Sequence, residues 1–137
     1  MRVAVVFFEK NKGKLTEVSE ALAHGIAEQG HDVKVINGAM ESNVKLTMFE
    51  YIAIGTTPSS LFSKKLDESL GNFIKNAGTV SGKRSYAFVQ KKGFRSFPVL
   101  QGLMGLLEGE GVILKTSDII NSKEEASYIG KKLHITK

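Results

Sequence analysis

The stretch VAVVFFEKNKGKLTEV, residues 3 to 18, holds an apolar run, a polar turn with one glycine, and the start of a helical pattern. Val3 to Phe8 is short and rich in β-branched residues, which is typical of a strand buried on both faces. The helical pattern runs to Gln29, with Val18, Leu22 and Ile26 spaced four apart on one face. The stretch therefore predicts a strand, a turn and a helix, the repeating unit of α/β domains.

The same alternation continues along the chain. Further strands are predicted at residues 32–36, 51–55, 84–90 and 112–120, and further helices at about 63–77, 97–110 and 122–133. Residues 39 to 49 fit either a short helix or an irregular crossover. Apolar strands that alternate with helices indicate a parallel sheet covered on both faces. Because crossovers are right-handed, we expect an α/β, three-layer, doubly wound, five-stranded parallel sheet with strand order 2-1-3-4-5, as one domain over residues 1–137.

The composition excludes several kinds of chemistry. The 137 residues contain no cysteine, which excludes disulfides, thiolate metal sites and cysteine nucleophiles. The three histidines fall in different predicted elements, and no Walker or dinucleotide-binding signature follows the first strand. We therefore predict no catalytic residue and no metal ligand. Without an apolar run long enough for a membrane span, and without a signal peptide, we expect a cytoplasmic location.

A ligand of such a sheet is expected beyond the carboxyl ends of the strands, at the point where the strand order reverses. Three loops meet there, at residues 9–14, 56–65 and 91–96. They carry eight cations against the single acid Glu9, whereas the whole chain has a net charge of +5. The cations are Lys10, Lys12, Lys14, Lys64, Lys65, Lys91, Lys92 and Arg95. This concentration of charge favours an anionic ligand or partner. Since no nucleic-acid recognition module is present, we do not expect nucleic acid.

Four features, spread over nearly the whole chain, resemble the flavodoxin family. They are MRVAVVFF before a glycine-containing turn and a helix, YIAIGTTP at the third strand, SYAFVQKKGF at the fourth, and the total length. The resemblance implies non-covalent binding of flavin mononucleotide (FMN) and one-electron transfer to a redox partner protein. It thus implies an electron carrier rather than a stand-alone enzyme.

The resemblance also implies which residues would bind FMN. The phosphate would lie on the first loop, where the family's hydroxyl positions fall on Lys10, Lys12 and Leu15 and where Thr16 comes one residue late. Lysines would then replace hydroxyl donors, together with the free N–H groups of a helix N-terminus. This loop comprises Lys10, Asn11, Lys12, Gly13, Lys14, Leu15 and Thr16.

The flavin ring would lie between the other two loops. The second loop would contribute Thr56, Thr57, Pro58, Ser59, Ser60 and Phe62, and the third Gln90, Lys91, Gly93, Phe94 and Arg95. In place of the family's Trp or Tyr, Phe62 or Phe94 would cover a face of the ring. A second interpretation stays open because the loop hydroxyls are missing. In it, the chain binds no flavin and uses its basic edge for another anionic ligand or partner.

Overall fold

The computed structural model describes residues 1–59 and 68–136, in which a helix follows every strand except the second one along the chain. The elements are β1 Arg2–Phe7, α1 Lys14–Glu28, β2 Asp32–Asn37, β3 Tyr51–Thr56, α2 Glu68–Lys75, β4 Arg84–Gln90, α3 Ser96–Gly109, β5 Ile113–Ile120 and α4 Lys123–Lys132. No helix within these two ranges is long and apolar enough to cross a bilayer.

The five strands form one sheet in the order β2-β1-β3-β4-β5, and every neighbouring pair is parallel. At the carboxyl end of β1, Phe7 pairs with Asn37 of β2 on one side and with Gly55 of β3 on the other. The predicted doubly wound, three-layer arrangement is confirmed. It places the ends of β1, β3 and β4 side by side at one edge of the molecule.

Each face of the sheet is covered by its own apolar core. On one face, Val5, Phe7 and Phe88 pack with Leu22 and Ile26 of α1. On the other face, the alternate strand residues pack with residues of α2 and α3, such as Leu70 and Leu103. Because successive side chains of a strand point to opposite faces, strands buried on both sides are apolar throughout.

The observed boundaries lie close to the predicted ones. Residues 39 to 49 form turns rather than a helix, and this segment is an irregular crossover from β2 to β3. It is nevertheless anchored, because Leu46 and Phe49 are buried and the Leu46 N–H donates to the carbonyl of Ala77 at 2.7 Å. The predicted start of the second helix near Ser63 lies outside the described residues. The helix ends before Gly78, which adopts a positive φ of 85°.

Helices α1 and α4 lie against each other on one face of the sheet. A Cβ on Gly25 would come within 2.4 Å of the Ser127 carbonyl oxygen, and one on Gly130 within 2.3 Å of the Leu22 carbonyl oxygen. The Gln29 side chain also donates to the carbonyls of Gly130 and Leu133, at 2.6 and 3.0 Å. These two carbonyls at the end of α4 thereby gain partners that the helix itself does not supply. Only residues without a side chain allow the two backbones to approach so closely.

We expect Gly25→Ala or Gly130→Ala to lower the free energy of unfolding by about 2–3 kcal/mol, because the added methyl meets rigid backbone. Gly105→Ala in α3 is the matched control. Nothing lies within 4 Å of a Cβ at that position, so it should be neutral or stabilise by about 0.5–1 kcal/mol through helix propensity. Urea unfolding followed by circular dichroism measures all three. Equal stabilities for the three variants would contradict the close contact.

Candidate functional site

The carboxyl edge of the sheet is formed by the turns that follow β1, β3 and β4. Lys10, Lys12 and Lys14 are exposed on the first turn, and Lys91, Lys92 and Arg95 are exposed on the third. Lys64 and Lys65, which are also predicted at this edge, lie outside the described residues. The structure therefore brings six of the eight predicted cations to one edge.

The N-terminus of α1 binds a carboxylate from its own chain. Oε1 of Glu9 accepts hydrogen bonds from the Gly13 N–H at 2.9 Å, from the Thr16 N–H at 2.9 Å and from the Thr16 hydroxyl at 2.6 Å. A single oxygen atom thus collects two backbone donors and one hydroxyl donor at the positive end of a helix. This is the donor set that an anion binding at a helix N-terminus would use.

The backbone of Glu9 is held in place by β2. The Asn37 side-chain amide donates to the Glu9 carbonyl at 2.7 Å, and its oxygen accepts from the Glu9 N–H at 3.3 Å and from the Ala39 N–H at 3.1 Å. Asn37 is the last residue of β2, which pairs in register with Phe7 of β1. The side-chain amide of Asn37 therefore holds both the N–H and the carbonyl of Glu9, the residue that carries the carboxylate.

The carboxylate replaces the usual helix cap. The N-cap residue of α1 is Gly13, which has no side chain to offer, and the structure records no side-chain cap bond from it. Glu9 supplies the acceptor from four residues upstream, with its other oxygen 3.0 Å from the position of a Cβ on Gly13. A negative charge at this end of a helix is favourable because the helix dipole is positive there.

The residues of the predicted phosphate loop lie in three different environments. Gly13 and Thr16 are in contact with Glu9, while Leu15 is fully buried in the core beneath α1. The side chains of Lys10, Asn11, Lys12 and Lys14 are exposed. The structure therefore places the predicted residues at one loop, but the three donors of Gly13 and Thr16 already bind the Glu9 carboxylate.

The second and third loops are tied to each other by hydrogen bonds. The Thr57 hydroxyl lies 2.9 Å from the Gln90 carbonyl oxygen and 3.1 Å from its side-chain oxygen. Gln90 is 4% exposed and its side-chain amide donates to the Lys91 carbonyl. Thr56 and Pro58 are buried and Ser59 is exposed. Ser60 and Phe62 lie outside the described residues.

The third loop contains a tight turn and an exposed aromatic ring. Gly93 adopts a positive φ of 65°, and the Lys92 N–H donates to the Ser96 hydroxyl at 3.1 Å. Phe94 is 81% exposed and Phe97 is 60% exposed. With Lys91, Gly93 and Asn121, these rings line a cleft of about 490 Å³ at the carboxyl ends of β4 and β5. The described residues that line this cleft come from the third loop, from the start of α3 and from the end of β5, and none of them belongs to the first loop.

No family model matches the sequence, and no curated protein matches it either. Solved structures do match it over nearly the whole chain. Flavodoxin 1 from Bacillus cereus has a TM-score of 0.74 at 15% identity, with 99% of this chain and 100% of that chain covered. A flavodoxin from Streptococcus pneumoniae has a TM-score of 0.72 at 13% identity, with 97% of each chain covered. A flavodoxin from the domain Archaea has a TM-score of 0.67 at 18% identity, with 96% and 95% covered.

The chain has a flavodoxin-like fold. The predicted resemblance is confirmed at the level of architecture, since strand order, helix placement and length all agree. At identities of 11% to 18%, the likeness shows the fold and leaves the chemistry of the crevice to the residues that this chain has there.

Sequence reasoning missed the two residues that organise the first loop of this flavodoxin-like chain. In the sequence, Glu9 stands out only as the one acid among the loop cations, and Asn37 follows the predicted strand at residues 32–36 without any distinguishing pattern. One signal is present in the sequence: the only acid of the first loop stands directly after the first strand, and Thr16 stands in the first turn of the helix. The contact with Asn37, however, joins residues 28 positions apart, which no local pattern reveals.

We expect Glu9→Gln to lower the free energy of unfolding by about 1 kcal/mol, because the charge at the helix N-terminus is lost while an acceptor oxygen remains. Glu9→Ala removes the acceptor as well and should cost about 1–2 kcal/mol. Glu20→Gln, at an exposed position of the same helix, is the control and should change stability by less than about 0.5 kcal/mol. Urea unfolding gives the three values. A Glu9→Gln variant as stable as Glu20→Gln would contradict a stabilising role of this carboxylate.

Proposed function

We propose that this flavodoxin-like chain is a cofactor-free binding module whose basic carboxyl edge binds an acidic polypeptide. The observation that carries the proposal is the Glu9 carboxylate at the N-terminus of α1, hydrogen-bonded to Gly13 and Thr16. The resemblance assigned this place to the FMN phosphate. The chain itself supplies the anion there.

The residues of this loop do not fit the FMN phosphate while Glu9 holds its position. The phosphate would need the Gly13 and Thr16 donors, which already bind the carboxylate. Two like charges about 4 Å apart repel by about 4 kcal/mol at an effective dielectric constant of about 20, a value typical near a protein surface. FMN binding would therefore require Glu9 to leave a place in which it has three hydrogen bonds.

The exposed cations at this edge favour an extended partner rather than a small ligand. Within residues 1–59 and 68–136, the recorded ion pair joins Lys131 to Glu28 at 3.5 Å, away from the carboxyl edge. Lys10 and Lys12 lie on one loop and Lys92 and Arg95 on another, all with exposed side chains. Positive charges spread over two loops match a chain of carboxylates, and such complementarity steers association and selects partners.

FMN binding is the second candidate, and two observations favour it. The fold is that of the flavodoxins described above, and Phe94 stands exposed beside Gly93 on the loop where the resemblance places the flavin ring. Bound flavin would supply one-electron chemistry, and the chain would pass the electron to a redox partner protein. In that case Glu9 would have to move from Gly13 and Thr16.

Titration of FMN fluorescence separates the two candidates. We expect the purified wild-type protein to be colourless and to leave the fluorescence of micromolar FMN unquenched. Glu9→Ser replaces the carboxylate by a neutral hydroxyl, so it should bind FMN at least about tenfold more tightly than the wild type, since removing a like charge is worth more than about 1.4 kcal/mol.

Riboflavin, which lacks the phosphate, is the control ligand, and its affinity should be the same for the wild type and for Glu9→Ser. A wild-type protein that is yellow, or that quenches micromolar FMN, would overturn the cofactor-free proposal in favour of the second candidate. If neither protein binds FMN, the module is cofactor-free for a reason other than Glu9.

The basic edge is tested with a fluorescein-labelled poly-glutamate peptide, followed by fluorescence anisotropy. We expect the triple variant Lys10→Gln, Lys12→Gln, Lys92→Gln to lose at least about tenfold in affinity, because three rim charges that attract the peptide are removed. The matched control is Lys34→Gln, Lys75→Gln, Lys115→Gln, which removes the same charge from exposed positions elsewhere. This control variant should lose less than about twofold in affinity for the peptide.

Added salt should weaken the wild-type interaction by screening it. Equal losses for the two triple variants would mean that net charge alone attracts the peptide, and would overturn the assignment to the carboxyl edge.

A further inference from the structure

A cavity of about 620 Å³ lies at the opposite end of the sheet, between β5, α4 and the tail that follows α4. Its walls include Tyr51 and Arg84, the first residues of β3 and β4, and Tyr128 of α4. The carboxyl edge is formed by the other ends of these strands, so this cavity is separate from the candidate site above. Its volume falls within the range of cavities that bind small molecules.

The packing of the helices accounts for the cavity. Helix α4 contacts α1 far more extensively than it contacts β5, because Gly25 and Gly130 let the two helices approach closely. The edge strand β5 is consequently left partly uncovered, with Thr116 and Asp118 exposed. The register between β4 and β5 shifts beside Ser85, where Lys115 has no partner in the ladder. Such a bulge redirects side chains at a sheet edge.

One wall of the cavity contains a polar group without a partner. Tyr51 is 1% exposed, and its hydroxyl accepts and donates no hydrogen bond within the described part of the chain. A tyrosine hydroxyl is protonated at neutral pH and can donate a hydrogen bond, and burial raises the pKa of Tyr51 further, to about 12. A buried donor without an acceptor costs free energy, and a ligand acceptor that reaches this wall would remove that cost.

Cations surround the same cavity. Among the described residues, the guanidinium of Arg84 makes one recorded hydrogen bond, to the Thr136 hydroxyl at 3.0 Å, and it has further donors to offer. Lys115 and Lys132 also line the cavity, with Lys132 Nζ 6.0 Å from the centre of the Tyr128 ring. The acid of the cavity is Asp118, whose carboxylate accepts from the Tyr86 hydroxyl at 2.8 Å.

Tyr128, Ile129 and Leu133 form the apolar part of the lining, along the α4 side. The polar side chains of Thr116, His134 and Thr136 complete it. A ligand that matches these walls combines an apolar body with one negative charge. We propose that this cavity binds a small aromatic carboxylate, whose ring packs on the α4 side and whose carboxylate reaches Arg84 and the Tyr51 hydroxyl. This site is independent of the proposed function of the carboxyl edge.

The test is a titration of the ¹⁵N-labelled full chain with 1-naphthoate, followed by ¹H–¹⁵N correlation NMR. We expect saturable shifts of amides at residues 115–118 and 128–136, and none at 9–16 or 91–97. Naphthalene-1-methanol, which has the same ring without the charge, should bind at least about tenfold more weakly. Shifts centred on 91–97, or no saturable shifts, would overturn the site.

Two variants test the chemistry of the site. Tyr51→Phe removes the hydroxyl without a partner, so it should leave the unbound protein at least as stable and weaken naphthoate binding about fivefold to tenfold. Lys115→Gln with Lys132→Gln should weaken naphthoate binding about threefold or more and leave naphthalene-1-methanol unaffected.

Lys34→Gln with Lys75→Gln removes the same charge elsewhere and should leave the affinity for both ligands unchanged. Wild-type affinity in Tyr51→Phe, or equal losses in the two lysine pairs, would overturn the proposed contacts.

Discussion

The N-terminus of α1 carries the positive end of a helix dipole and N–H groups that need an acceptor. In this chain the acceptor is the side chain of Glu9, which lies in the turn after β1 and accepts hydrogen bonds from the start of the helix that follows. The contact ties the first strand to the first helix, and Asn37 ties the same residue to β2. A carboxylate from the chain itself therefore occupies the turn between β1 and α1. The donors of this turn are in contact with that carboxylate, which determines the chemistry of the carboxyl edge.

A fold can keep its crevice and still change what the crevice accepts. The flavodoxin-like strand order is present here, and the described parts of the loops after β1, β3 and β4 lie at the switch point. The donors at α1 are in contact with a carboxylate, whereas the lysines around them are exposed and turned toward solvent. Under the proposed function, this exposed positive charge serves an acidic partner outside the crevice, while the carboxylate keeps the FMN phosphate from the same loop.

Distant contacts also shape the opposite end of the sheet. The glycine contact between α1 and α4 draws α4 toward α1 and leaves β5 partly uncovered. Tyr51 and Arg84 are partners in the neighbouring strands β3 and β4, and Tyr128 of α4 lies at the same cavity because of where that helix packs. The predicted strand order places the two strand residues side by side, but no pattern in the sequence predicts that α4 leaves a cavity beside them.

The sequence by itself determined the order of strands and helices, their boundaries to within a few residues, the topology of the sheet and the basic character of one edge. These features depend on local periodicity, on turn residues and on the handedness of crossovers, all of which are readable along the chain. Only the tertiary structure decided that residues 39 to 49 cross without a helix, that Glu9 binds at α1, and that a cavity opens beside β5. Each of these depends on contacts between residues distant in sequence, where the reach of a side chain or the space left by a glycine decides the outcome.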